Sequence, residues 1–382
     1  MGKPIKKVLM LLHYEMDHTS YMLYDGLYRT LGKGNVDIYP YINHFRGQGR
    51  VDEGYTLDDG KRGWTAAPSH ISNHETPNKS FEEIADNIKS GYYDIIAFSN
   101  RTYAVRALDQ FITHLTREKL PSLVLFEGED YSDLNPIRRL KQKYNPVALF
   151  KREYIQSEID RTGRDLHPIF PLPFSAITDT VAQDKQIENK DIDVFALFGN
   201  THQIRENIVK KIGSSDLPKK YKIRVGIDRF SNEPEKATWL DQTRFQIPPM
   251  MSYKDYQEHM SRAKINIVAR GWGNDSIRRF EAPCYGGLVL ADKLPITTPN
   301  DFIDDQHIIY YDSDLSDLIP KIEYYLNNPG ERERIGNAGR DHCMKYHTTE
   351  SRARYFLERV EGLLYKYHTT EKREAYILET IK

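Results

Sequence analysis

The stretch KINIVARGWGNDSIRRFEAPCYGGLVLAD, residues 264–292, decides the fold. Residues 265–269 (INIVA) are a short apolar run that reads as a buried strand. Arg270, Gly271 and Gly273 make a tight turn, a helix is expected over 276–285, and a second apolar run follows at 288–291. That order, strand then glycine turn then helix then strand, is one unit of a parallel sheet. Glycines let the backbone approach a ligand closely, and free N–H groups at a helix start attract an anion. Ser276 stands where a dinucleotide fingerprint requires its third glycine, and the turn comes late in the chain. Both points exclude a dehydrogenase reading.

The alternation continues outward. Strands are expected at 193–198, 221–226 and 307–311, with helices at 201–212, 252–262, 315–327 and 330–345. Residues 171–190 carry the Pro and polar content of a linker. Before them come a strand at 8–12, a helix at 18–32 and a strand at 36–41. A long polar excursion covers 43–80. A helix at 81–88, a strand at 93–99, a helix at 104–118 and a strand at 122–126 complete this half. The fold class is therefore α/β, with two Rossmann-like halves: residues 1–170 and 191–345, joined by 171–190 and followed by terminal helices over 346–382. KYHTTE occurs at 345–350 and again at 366–371, and the Thr pairs are expected to cap two consecutive helices.

The chain has 382 residues, 54 Lys+Arg against 55 Asp+Glu, and a net charge of −1, which weighs against affinity built mainly on nucleic-acid phosphates. The neutrality is a sum of patches. Residues 262–279 hold Arg262, Lys264, Arg270, Arg278 and Arg279 against Asp275, whereas 297–318 hold six Asp and no cation. Cys284 and Cys343 are the only cysteines, which excludes a disulfide-stapled scaffold and a Cys-rich zinc site. The N-terminal VLMLL run is too short for a signal peptide, and Lys6 occupies the position where myristoylation needs Ser or Thr. No stretch approaches the ~20 apolar residues of a membrane span. A soluble, cytoplasmic protein is expected.

RRFEAPCYGGLVLAD, followed by the acidic loop, the helix ending in NNP and the run HTTESR, resembles the C-terminal domain of GT-B glycosyltransferases, in particular the spore-maturation-protein-like branch. Arg278, Phe280, Glu281, Gly286, Gly287, His347, Thr348 and Arg352 carry that resemblance. FGNTHQIREN (198–207), FEGEDYSD (126–133) and LFKREYI (149–155) are weaker echoes of the same branch. The resemblance implies two Rossmann-like domains facing a cleft, with the C-terminal helices packed back on the first. The first domain would take the acceptor and the second a nucleotide sugar, most readily a UDP-sugar, with no metal and no other cofactor.

It also implies roles. Glu281 would accept hydrogen bonds from the donor ribose, a task suited to a carboxylate that takes two O–H donors at once. Gly199, Asn200, Arg205, Arg270, Gly271, Gly273, Asn274, Ser276 and Arg278 would surround the diphosphate, whose developing charge fixed cations stabilise. Retaining families of this fold often carry two glutamates spaced E-x7-E. Here Gly273 stands at the first position, with Asn274 and Asp275 the nearest polar substitutes.

In the first half, His13 and His18 are candidate general bases for an acceptor hydroxyl, with Asp130 as a further catalytic candidate and Glu15, Asp17 and Glu129 as acceptor ligands. Asp312-Ser313-Asp314 reads either as a metal-binding D-x-D or as the cap of the following helix. Residues 138–164 hold eight cations against three acids, with Tyr144 and Tyr154 interleaved. This run is either a solvated helix face or a nucleic-acid track. The expected partners are a nucleotide sugar and a glycan, protein or small-molecule acceptor. Alternative functions are transfer to a DNA base and a catalytically silent nucleotide-sugar-binding or scaffold protein.

Overall fold

Val8–Leu11 (β1) has no exposed residue. This is the state of a parallel strand covered on both faces, and it explains the uninterrupted apolar run. The computed structural model describes residues 4–13, 17–40, 55–56, 62–63, 74, 77–177, 190–199, 201–228 and 253–380. Within the first unit, β1 is followed by α1 (His18–Leu31) and β2 (Val36–Tyr39). A short antiparallel pair, β3 (Tyr55–Thr56) and β4 (Arg62–Gly63), comes next in the chain. Then follow α2 (Phe81–Lys89), β5 (Ile95–Ser99), α3 (Thr102–Leu115), β6 (Ser122–Glu127), α4 (Asn135–Tyr144), β7 (Ala148–Lys151), α5 (Gln156–Thr162) and β8 (Ile169–Pro171). The sheet order is β2-β1-β5-β6-β7-β8, every pair parallel. A capping box fixes the start of α2: Ser80 Oγ accepts from Glu83 N, and Glu83 returns a carboxylate to Ser80 N.

The second unit comprises Phe174–Thr348 together with the β3–β4 pair. It contains β9 (Ile192–Gly199), α6 (Gln203–Gly213), α7 (Leu217–Lys220), β10 (Ile223–Asp228), α8 (Tyr253–Arg262), β11 (Ala263–Val268), α9 (Arg278–Glu281), β12 (Leu288–Asp292), β13 (Ile309–Tyr311), α10 (Leu318–Asn327) and α11 (Pro329–Tyr346). Its five strands run parallel in the order β10-β9-β11-β12-β13, with an apolar cluster on each face. The fold class is thus α/β, two parallel sheets interleaved with helices.

Three local expectations are corrected. The helix expected over 276–285 is only the four-residue α9, continued by a 3-10 turn, Ala282–Tyr285. Pro283 has no N–H for the carbonyl of Arg279, so the α-helix cannot propagate. Gly286, at φ 69°, ends the segment. The second KYHTTE caps nothing: Thr349–Thr380 is one helix, α12. The residues around the second copy contain no breaker to interrupt it. The basic run 138–164 is not one surface. β7 lies inside it with every residue buried, and Lys151 and Arg152 are core cations. A continuous nucleic-acid track is therefore absent from this run.

α12 belongs to the first unit. It meets α1 where Thr349 Oγ1 donates to the buried Asp25, whose carboxylate also takes Arg29 Nε at 2.9 Å and lies 2.7 Å from His74 Nε2. Further along, Phe356 packs on Phe150 with ring centroids 4.5 Å apart, and Glu361 accepts from Ile5 N. Gly26 makes the approach possible, because a Cβ there would lie 2.0 Å from the carbonyl oxygen of Thr349. We expect Gly26→Ala to force α1 and α12 apart and to lower stability by about 3 kcal/mol, the upper end for overpacking. Urea denaturation measures this; an unchanged midpoint would show that the helices are not held by this contact.

Candidate functional site

In an open parallel sheet, ligands bind where the strand order reverses, because loops leaving two neighbouring carboxyl ends diverge there. In the second unit that point lies between β9 and β11. Arg205, on α6, bridges the two loops. Its Nη1 donates to Gly199 O (3.1 Å), its Nη2 to Ala269 O (3.0 Å) and its Nε to Arg270 O (2.7 Å). Gly271 N closes the turn on Gly273 O (3.1 Å), and a Cβ on Gly271 would stand 3.0 Å from Arg205 Nη2 and 3.1 Å from Thr201 Oγ1. The glycine is therefore required for the close approach. Thr201 Oγ1 is buried and finds no hydrogen-bond partner.

Arg278 lies beside Arg205. Its guanidinium sits 6.0 Å from the Phe198 ring centroid and 5.3 Å from that of Tyr256, and the Arg205 guanidinium is 5.6 Å from Phe198. Arg278 also donates to the Tyr256 hydroxyl, whose proton burial pushes up to about 12. Burial, and then the neighbouring Arg278 cation, push the Arg205 guanidinium down to about 9. Among the described residues, neither arginine has a carboxylate within ion-pair distance. Glu281 is buried at the end of α9.

The other cations of the basic patch are committed. Arg262 pairs with Asp191 (2.7 Å), Lys264 with Asp193 (2.6 Å), Arg270 with Asp292 (2.6 Å) and Arg279 with Asp301 (2.8 Å). Arg270, expected at the diphosphate, is thus drawn to the end of β12. Arg205 likewise acts first as a strap on backbone carbonyls. Asp275, a possible substitute for the missing glutamate, accepts Phe174 N (2.6 Å) and Ser276 N (3.0 Å). Its carboxylate anchors the backbone. Ser276 is buried ahead of α9, whose four residues sum to only a small dipole. Asn274 is half-buried in the same turn, and Asn200 lies outside the described residues. Asp314 accepts from Ser316 N, and Asp317 from Asp312 N, in the turn before α10.

Trp272 was not singled out by the sequence. It is 78% exposed at the tip of the Gly271–Gly273 turn. Its signal was present: a large aromatic between two glycines.

In the first unit the strand order reverses between β1 and β5. His13 leaves β1 and meets the Tyr103 ring edge-on at 4.8 Å. Ser99 Oγ at the end of β5, Asn100 Oδ1 just after it and Thr19 Oγ1 on α1 are buried polar atoms without a hydrogen-bond partner. The sequence offered no sign of them, since Ser, Asn and Thr are ordinary at a strand end. Beside them, Glu129 pairs with Arg101 (3.0 Å), and Asp130 with the fully buried Arg152. Lys151 Nζ donates to Glu127 at 2.7 Å. Burial pushes the Glu127 carboxyl up, while that ammonium and the Glu129 amide oppose the shift. Asp17, expected as an acceptor ligand, is the N-cap of α1: it accepts Thr19 N (3.0 Å) and Ser20 Oγ (2.6 Å). Glu15 lies outside the described residues. Burial lowers the pKa of His18 from the usual 6.5, and the Arg152 cation adds to the effect against the pull of Asp17 and Asp130.

Comparison with known proteins agrees with this architecture. Residues 205–358 match the family model described as glycosyl transferase-like. A glycosyltransferase from Rickettsia africae superposes with a TM-score of 0.60 at 14% identity, covering 94% of this chain and 99% of that one. The Anabaena protein Alr3699/HepE, solved in complex with UDP, gives 0.62 at 11% identity over 93% and 100%. Sucrose-phosphate synthase from Thermosynechococcus elongatus gives 0.55 at 12% over 96% and 100%. No curated protein matches the chain by sequence. The chain has the GT-B fold. Among the described residues, no helix is long and apolar enough to cross a membrane.

The His18 shift has a testable sign. A histidine whose folded pKa lies below its unfolded value stabilises the fold above pH 6.5, and that contribution is lost as pH falls through the folded value. We expect His18→Gln to lose less stability than the native chain between pH 7 and 5 in urea titrations. Parallel pH curves would refute the assignment.

Proposed function

We propose that the protein is a glycosyltransferase that moves a hexosyl or pentosyl group from a UDP-sugar to a hydroxyl of a glycan, protein or small-molecule acceptor, without a metal ion. The observation that carries this reading is the pair Arg205 and Arg278. Two guanidinium groups meet at the switch-point crevice of the second unit without a carboxylate partner among the described residues, while the other patch cations are paired. A buried cation short of counter-charge favours an anion. A nucleoside diphosphate supplies two adjacent phosphates, and the family match and the UDP-bound neighbour of like fold support that choice.

In the reaction the acceptor oxygen bonds to the anomeric carbon and the bond from that carbon to the β-phosphate oxygen breaks. The acceptor proton passes to a base, and the leaving UDP carries the new negative charge. Arg205 and Arg278 stabilise that charge as it forms. Glu281 takes the ribose hydroxyls, as the branch resemblance implies. Trp272 offers an indole face for stacking on a ring of the ligand. In the first unit, Ser99, Asn100 and Thr19 supply unsatisfied hydrogen-bonding groups for acceptor hydroxyls. His13 or His18 accepts the proton, and burial, which lowers the pKa of His18, favours its neutral, proton-accepting form. The Arg278-x-Phe280-Glu281 set supports membership of the spore-maturation-protein-like branch. Two free buried thiols fit a reducing compartment, the cytoplasm.

Arg278→Ala and Glu281→Gln are each expected to weaken UDP binding by ~10- to 100-fold, the loss of a hydrogen bond to a charged group, with the melting temperature nearly unchanged. Isothermal titration calorimetry measures this, and native affinity in both variants would refute the site. A companion turnover assay separates the enzyme from a silent binder, since UDP-sugar binding without transfer or donor hydrolysis would favour the scaffold.

A further inference from the structure

The only two cysteines of the chain, far apart in sequence, are in contact. Cys284 Sγ lies 3.1 Å from Cys343 Sγ, and both are buried. Both thiols also converge on one acceptor: Phe280 O is 3.1 Å from Cys284 Sγ and 2.9 Å from Cys343 Sγ. The two elements that carry them are already tightly apposed. Arg340 Nε, on α11, donates to Cys284 O at 3.2 Å. A Cβ on Gly336 of α11 would stand 2.7 Å from Gly286 O. A disulfide needs sulfurs about 2 Å apart, so closure asks for a contraction of about 1 Å in side chains that already face each other.

We propose that Cys284 and Cys343 form a redox-active dithiol that closes to an intramolecular disulfide and fastens the segment carrying Arg278 and Glu281 to α11. The oxidant is a low-molecular-weight disulfide such as oxidised glutathione. A thiolate from one cysteine attacks it, releasing one reduced glutathione and leaving a mixed disulfide. The second cysteine, as its thiolate, displaces the other glutathione and forms the Sγ–Sγ bond. Two protein thiols are oxidised, one glutathione disulfide is reduced to two thiols, and the protons balance. Burial makes the first attack depend on local opening of the segment, so the reaction is slow. The product returns to the same contact.

The test uses the full chain in glutathione buffers from fully reduced to fully oxidised, followed until composition is constant. We expect both thiols to disappear together and the intact mass to fall by about 2 Da with no glutathione retained. The melting temperature should rise by roughly 5 °C, because the bond constrains the unfolded chain. Dithiothreitol should reverse every change. Cys343→Ala should abolish the mass loss and end at a glutathione adduct or an unreacted thiol. Two thiols that persist at the oxidised end would overturn the proposal. A stable single glutathione adduct on the native chain, or a disulfide that lowers the melting temperature, would do the same. None of these readouts involves a nucleotide, so their failure is distinct from failure of the functional reading.

Discussion

The strap made by Arg205 is the interaction on which the second unit's site depends. A parallel sheet opens a crevice at its switch point, but the opening needs something to hold its two lips in register. One guanidinium does so with three N–H···O=C bonds to the loops after β9 and β11. The cost is a positive charge taken out of water, visible in its depressed pKa. That cost makes the crevice a place where an anion is welcome. The same contact dictates Gly271, since a side chain there would press on the guanidinium. It also leaves Trp272 projecting from a turn whose two ends are buried.

Beneath this crevice, α9 is held from behind. Arg279, buried, reaches Asp301 and the Tyr310 hydroxyl at 2.8 and 3.0 Å. His347 packs at a tilt against Phe280 and Phe302, with ring centroids 5.2 and 4.6 Å away. The acidic loop and the HTT segment thus support the short turn that presents Arg278 and Glu281. A four-residue helix would be marginal alone, and tertiary packing is what maintains it.

The first unit reaches a similar end by another route. Its sheet ends carry buried ion pairs, Lys151 with Glu127 and Arg152 with Glu153, and Arg152 also reaches the exposed Asp130. Such pairs are weak evidence for stability but hold charge and geometry in place. Around them the orphaned hydroxyl and amide atoms of Thr19, Ser99 and Asn100 remain available to a polar ligand.

Much of the architecture was legible in the chain. Apolar runs at 8–12, 93–99, 122–126 and 288–291 announce buried parallel strands because alternation with helices leaves no strand a wet face. The glycine turn at 271–273 could be placed for the same local reasons, whereas Glu281 stood out only through the resemblance to GT-B glycosyltransferases. Pro283 was also visible, and its veto on a helix over 276–285 is a local rule that the apolar spacing concealed. What the sequence could not decide was which cations are available. Arg262, Lys264, Arg270 and Arg279 look alike in a row with Arg278, but their carboxylates lie 71, 71, 22 and 22 residues away in sequence. Only the folded sheet brings Asp191, Asp193, Asp292 and Asp301 to them. Charge pairing acts over a few ångströms of space, not along the chain, so the site was determined when the fold had consumed every other partner.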